Sequence, residues 1–225
     1  MSLQIKIEQR GISEVLHFST NRGVIGVLHS RHLLSRPLLN ENAYLRHVLQ
    51  LNASVRPEES EYFDKSEDWI RFINLSISEI NKRFLDVSRK WHNNVDVWWC
   101  ILAFDPLIMK HDGVRFATTN NGYDQCRRGQ SEEGFDALFA PTIRRKASGY
   151  NGQPWSVSRQ RRPNNLTTCE QAEVLYPEKL SLDYLRTVYV EEDEHHDVVM
   201  GWLRDFNYDN IDVVVKPEKF VGRRN

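Results

Sequence analysis

The stretch Thr168-Cys169-Glu170-Gln171-Ala172-Glu173-Val174-Leu175-Tyr176-Pro177 decides how the rest of the chain is read. Small, polar and apolar positions alternate, then run into Val174-Leu175, and Pro177 ends the ladder. That spacing predicts a strand over 168–177. On such a strand Gln171 and Glu173 share one face, while Ala172 and Val174 take the other. The aliphatic face packs inward. The other presents an amide and a carboxylate side by side. A carboxylate so placed would stabilise positive charge developing at a sugar C1 as a leaving group departs. The plainer reading of the same pattern is an exposed strand face.

The segment just upstream, 125–166, has a different character. Little of it is periodic apart from Gly134-Phe135-Asp136-Ala137-Leu138-Phe139. It carries the basic clusters Arg127-Arg128, Arg144-Arg145-Lys146 and Arg159 with Arg161-Arg162, and it sets Tyr150 and Trp155 among glycines and prolines. Cations, stackable rings and flexible backbone together suit a single-stranded nucleic acid, whose phosphates need charge and whose unpaired bases need flat surfaces. An ordinary surface loop is the competing reading.

Further out, 15–19 reads as a buried strand, and Thr20-Asn21 caps a helix over 21–28. His17 therefore sits just before a helix N-terminus, where backbone N–H groups point at anions; a core histidine is the alternative. Arginines 31, 36, 46 and 56 follow among leucines, with an amphipathic helix over 42–52 and a loop over 56–68. Alternation predicts a strand over 69–76 and helical spacing a helix over 77–91. The nearly apolar run 95–104 predicts a central strand buried on both faces. A short strand over 113–118 and a turn at Asn120-Asn121-Gly122 come next. After the Gln171/Glu173 strand there is a strand over 185–190, an acidic-start helix over 191–206 and a closing strand over 211–215. His195-His196, adjacent on that helix, point apart and read as a solvated helix start rather than a metal site.

Composition narrows the classes. The chain has 225 residues, 40% of them hydrophobic, which suits one domain over 1–225. No apolar run has transmembrane length, and residues 1–6 lack a signal-peptide core. Three widely spaced cysteines with no CxxC indicate neither a disulfide framework nor a zinc site, so no metal is expected and a reducing cytoplasm fits best. A formal net charge of −1 means that any nucleic acid must be held by local patches. No Walker loop, GxGxxG or serine-hydrolase elbow is present.

The residues thus describe an α+β domain with a histidine-bearing first strand and a late Gln-x-Glu strand behind a long basic loop. The order His17-Phe18-Ser19-Thr20, Leu34-Ser35-Arg36, Asn74-Leu75-Ser76-Ile77, Phe116-Ala117-Thr118-Thr119-Asn120 and Gln171-Ala172-Glu173-Val174-Leu175 resembles the ADP-ribosyltransferase pattern. More narrowly it resembles the DarT family, toxins that ADP-ribosylate bases in single-stranded DNA. The likeness spans residues 16–190.

This resemblance implies a split core of two small, perpendicular sheets with NAD+ as substrate in the cleft between them. Glu173 would be the catalytic glutamate. His17, Phe18, Ser19, Arg36 and Gln171 would bind NAD+. The loop over 141–168 would grip the DNA strand through Arg144, Arg145, Tyr150, Trp155, Arg159, Arg161 and Arg162. An arginine ahead of the second core strand assists at the base, and Arg56 is the nearest candidate, with Arg46 behind it. Phe72-Ile73-Asn74-Leu75-Ser76 is less aromatic than the matching run of thymidine-modifying members, which points to the guanosine-modifying branch. A monomer with a macrodomain-type antitoxin as partner is implied. A protein or RNA target, or a non-catalytic nucleic-acid-binding module, are the other classes that the residues leave open.

Overall fold

The computed structural model describes residues 2–41, 69–92, 95–148 and 152–223. The chain begins with α1 (Leu3–Gln9), β1 (Val15–Thr20), α2 (Asn21–Ser30), β2 (His32–Leu34) and α3 (Arg36–Glu41). A 3-10 turn at Trp69–Arg71 leads into β3 (Phe72–Ile77), α4 (Lys82–Trp91) and β4 (Trp99–Phe104). β5 (Arg115–Ala117), β6 (Arg128–Gly129), α5 (Ser131–Ala137), β7 (Thr142–Lys146) and β8 (Trp155–Ser158) follow. The chain closes with β9 (Glu173–Pro177), β10 (Lys179–Ser181), β11 (Leu185–Val190), α6 (Asp193–Asp205) and β12 (Asp212–Val215).

Eight strands form one sheet in the order β12-β11-β4-β1-β3-β9-β5-β6. Its joint is narrow. β1 pairs with β4 along its whole length, from Val15 opposite Phe104 to Thr20 opposite Trp99, but meets β3 only at Val15–Ile77 and Leu16–Ser76. Beyond Leu16 the ladder between β1 and β3 stops, and two four-stranded halves share that short seam. This is the split α+β core that the resemblance implies. β4 lies between β1 and β11 and is buried at all six positions, as an unbroken apolar run requires. α2 starts where its cap falls: Thr20 Oγ1 accepts the Gly23 N–H at 3.2 Å.

Several boundaries move for local reasons. The helix expected over 77–91 begins only at Lys82, because Ile77 completes β3 and Ser78 turns through a positive φ of 60°. Asn81 then caps it, its Oδ1 accepting the Phe84 N–H at 3.1 Å. The strand expected from residue 95 begins at Trp99. The strand expected over 168–177 begins at Glu173, because the Ala172 N–H bonds back to the Cys169 carbonyl at 3.0 Å and closes a tight turn. The basic segment is more regular than its sequence suggests: β7 and β8 form a separate antiparallel ribbon. The expected helix over 42–52 and loop over 56–68 lie outside the described residues, as do Arg46, Arg56 and Tyr150.

Candidate active site

Glu173 opens β9 and pairs with Ala117 of β5. Its carboxylate is 5% exposed, yet both oxygens are held. Oε1 accepts from Asn74 Nδ2 at 3.1 Å, and Oε2 accepts from the Asn121 backbone N–H at 2.8 Å. Burial pushes this carboxyl up to about 7, while the bonds from Asn121 and Asn74 and the charge of Arg128 pull the other way. The result is a buried acid poised to titrate near neutrality. That condition marks functional carboxylates more often than structural ones.

The turn that feeds Oε2 is built by the run Phe116-Ala117-Thr118-Thr119-Asn120. Thr118 Oγ1 accepts the Arg127 N–H at 3.1 Å, and Asn120 Oδ1 accepts the Gly122 N–H at 2.9 Å, an Asx turn that aims the Asn121 N–H at the carboxylate.

His17 occupies the first position of β1 beyond the seam. Where a backbone pair with β3 would have continued, its ring takes over: Nδ1 lies 3.0 Å from the Asn74 carbonyl oxygen. A carbonyl only accepts, so Nδ1 carries the proton and Nε2 is the bare nitrogen of the neutral ring. Burial lowers the His17 pKa, which keeps the ring neutral at pH 7, although the Asn74 carbonyl partly offsets the effect. Asn74 therefore touches both expected residues, one through its carbonyl and the other through its side chain.

A cleft of about 250 Å³ opens beside this point, lined by His17, Ser19, Arg36 and Asn74 together with residues of α2 and β2. Strand alternation corrects the expectation for Phe18. It faces away from the cleft and packs edge-on against Phe84 and Trp99 in a small apolar cluster behind β1. Gln171 is also displaced. It sits in the tight turn, not on the strand, and is 3% exposed, with Oε1 lacking a hydrogen-bond partner among the described residues.

The arginines expected to meet DNA divide sharply. Arg145 is fully buried; its Nε donates to Cys169 Sγ at 3.2 Å and its guanidinium lies 4.8 Å from the Trp155 ring. Arg159 ties the loop to itself, donating to the Leu166 and Pro163 carbonyls at 2.9 and 3.0 Å. Arg162 donates to the Thr167 carbonyl at 2.7 Å and pairs with Glu79. These three hold the loop together, since these donors go to groups of the protein itself and not outward. Arg144 and Arg161 are exposed and Trp155 is half-buried, so these remain presentable. The sequence reading missed Asn74 and Asn121 as carboxylate holders; each needs a partner strand to acquire its role.

The seam between two half-sheets thus lies between a histidine-bearing strand on one half and a buried, doubly held glutamate on the other. The chain belongs to the DarT family, described as ssDNA thymidine ADP-ribosyltransferase, whose family model matches residues 16–221. Solved structures share the fold. Thermosipho africanus DarTG in complex with ADP-ribose superposes with a TM-score of 0.58 at 17% identity, over 95% of this chain and 52% of that one. Thermus sp. 2.9 DarT in complex with NAD+ gives 0.58 at 11% identity, over 92% and 96%. The same protein in complex with ADP-ribosylated ssDNA gives 0.58 at 10% identity, over 93% and 96%. The chain spans about half the length of the Thermosipho protein. No curated protein matches it by sequence.

Proposed function

We propose that the chain is a toxin-type enzyme that transfers ADP-ribose from NAD+ to a base of single-stranded DNA. The observation that carries this reading is the geometry of Glu173: a buried carboxylate, both oxygens oriented, joined through Asn74 to His17 at the mouth of the cleft. NAD+ binds with its nicotinamide ribose toward Glu173, and His17, Ser19 and Arg36 line its cleft. The bond from the ribose C1 to nicotinamide breaks with its electron pair going to the ring nitrogen. Ionised Glu173 stabilises the positive charge left on the sugar. A lone pair of an unstacked base closes the new bond at C1, and the base then gives a proton to solvent.

The exposed Arg144 and Arg161, with Trp155, supply charge and a stacking surface for the strand. Arg56 assists at the base by family resemblance alone. We take the base as guanine, from the Phe72-Ile73-Asn74-Leu75-Ser76 run, whereas the family description names thymidine. The enzyme works as a single domain and a monomer in the cytoplasm, with an antitoxin that reverses the mark.

Mass spectrometry of single-stranded oligonucleotides of one base composition each, incubated with NAD+ and the wild-type protein or Glu173→Gln, tests this. An ADP-ribose mass gain on one composition only, absent with the variant, is expected. Gain on RNA or protein but never on DNA would overturn the substrate. Equal gain with Glu173→Gln would overturn the site.

A further inference from the structure

Arg128 reads in sequence as one of the cations for nucleic acid, but the fold turns it inward. Ala117 is the partner of Glu173 on one side and of Arg128 on the other, so the three residues form one row across β9, β5 and β6. Directly opposed residues of antiparallel strands project to the same face. Glu173 and Arg128 therefore share a face, two strand spacings or about 10 Å apart along the backbone, with only the methyl group of a fully buried Ala117 between them.

Arg128 turns two of its donors onto Asn121. Its Nε donates to Asn121 Oδ1 at 2.6 Å and its Nη2 to the Asn121 carbonyl at 2.5 Å. The N–H of that same Asn121 holds Glu173 Oε2. The Arg128 guanidinium also lies 4.7 Å from the ring of Trp69, which is 2% exposed and fixes the plane of the fork. Position is fixed further upstream. β6 is two residues long, and Gly134 packs so closely on it that a Cβ there would lie 2.4 Å from the Gly129 carbonyl carbon.

We infer that Arg128 is a positioning residue for the transfer reaction: by clamping Asn121 it fixes the backbone N–H that orients Glu173. The inference rests on Glu173 acting as proposed above. A planar guanidinium meets the two acceptors with donors in fixed directions, a geometry that a lysine ammonium, a compact charge on a flexible stem, does not reproduce. Among the described residues, Cys126, whose thiol burial pushes up to about 11, and His17 on the Asn74 carbonyl are titratable groups near Glu173. Both are uncharged near pH 7; burial raises the Glu173 carboxyl most, the bonds from Asn121 and Asn74 oppose it, and the Arg128 charge adds to that opposition.

The test is the pH dependence of the nicotinamide-release rate with NAD+ and single-stranded DNA, for wild type, Arg128→Gln, Arg128→Lys and Glu173→Gln, each with its Tm. Arg128→Gln is expected to move the acidic limb up by roughly one pH unit, lowering the rate at pH 7 about fivefold from titration alone. Arg128→Lys keeps the charge and loses the fork, so its limb stays and its plateau falls. Wild-type profiles in both variants would overturn the inference while leaving the proposed reaction standing, provided Glu173→Gln is inactive. A pH-independent loss that follows a fall in Tm would overturn it too. If Arg128→Gln does not fold, the Lys variant decides: a lowered plateau at unchanged Tm supports the clamp, and a wild-type plateau refutes it. Full activity in Glu173→Gln would remove both readings together.

Discussion

Asn74 Nδ2 donates to Glu173 Oε1 across 3.1 Å, and the two residues are diagonal neighbours on β3 and β9, Asn74 being directly opposite Leu175. The carbonyl of the same Asn74 receives the His17 ring from the other half-sheet. One residue thus couples the two sides of the seam. Replacing Asn74 with Ala keeps the backbone carbonyl and removes one of the two bonds to the carboxylate. The expected result is a rate loss on the order of 10-fold, with His17 still in place. A steady-state rate unchanged from wild type would show that Asn121 alone orients Glu173.

The carboxyl of Glu173 titrates at about 7, so activity should rise through neutrality and level off above pH 8. Loss of the charged contact in Glu173→Gln should cost on the order of 100- to 1000-fold at pH 8. Rates of nicotinamide release between pH 5.5 and 9 measure both. A flat profile for the wild type would rule out ionised Glu173 as the species that acts.

The same shift has a consequence for stability. A carboxyl whose pKa is raised on folding holds its proton better in the folded chain, so its stabilising effect is complete below about 4.5 and is lost as pH rises through about 7. Above that pH the folded protein carries a buried charge. Glu173→Gln removes it, so the variant should melt higher than wild type at pH 8, with the gap closing toward pH 5. Thermal melts at the two pH values give the comparison. A lower Tm for the variant at pH 8 would mean that the two hydrogen bonds outweigh the desolvation.

The loop arginines should separate into two phenotypes. Arg144→Glu with Arg161→Glu, both exposed, should weaken single-stranded DNA binding and flatten its salt dependence by about one unit of slope for each lost phosphate contact, with Tm unchanged. Arg162→Ala should instead lower stability by about 3 kcal/mol, because it removes the ion-pair partner of the buried Glu79 carboxylate and leaves it the Arg223 N–H at 3.1 Å. Fluorescence anisotropy and denaturant titration on the same variants distinguish the two. A destabilised Arg144/Arg161 double variant would contradict the division.

Gly134→Ala should be strongly destabilising, since the new methyl would collide with backbone and not with a movable side chain. Because β6 carries Arg128, activity should fall in any fraction that still folds. A variant with wild-type Tm would show that α5 can slide.

Much of this was readable in advance where a signal is local. The cap at Thr20 and the apolar run of β4 each depend on a few neighbouring side chains. The start of β9 was misread because alternation continues through Gln171, whereas the backbone bond from Ala172 to Cys169 ends the strand earlier. Phe18 was misassigned for a similar reason: beside His17 in sequence, it is necessarily on the other face of β1.

The sequence by itself determined the α+β class through its hydrophobic period, and its motif order carried the resemblance that implies the family, the split sheet and the two residues on which the chemistry is proposed to turn. Only the tertiary structure decided what surrounds them. Asn74 and Asn121 become holders of Glu173 through strand register, and Arg128 joins them because Ala117 leaves the row open. Arg145 becomes structural through burial and its bond to Cys169, and Arg159 and Arg162 through bonds to backbone carbonyls of their own loop. A guanidinium looks the same in sequence whether it meets a phosphate or a backbone oxygen; the difference lies in which groups the fold brings within 3 Å of it.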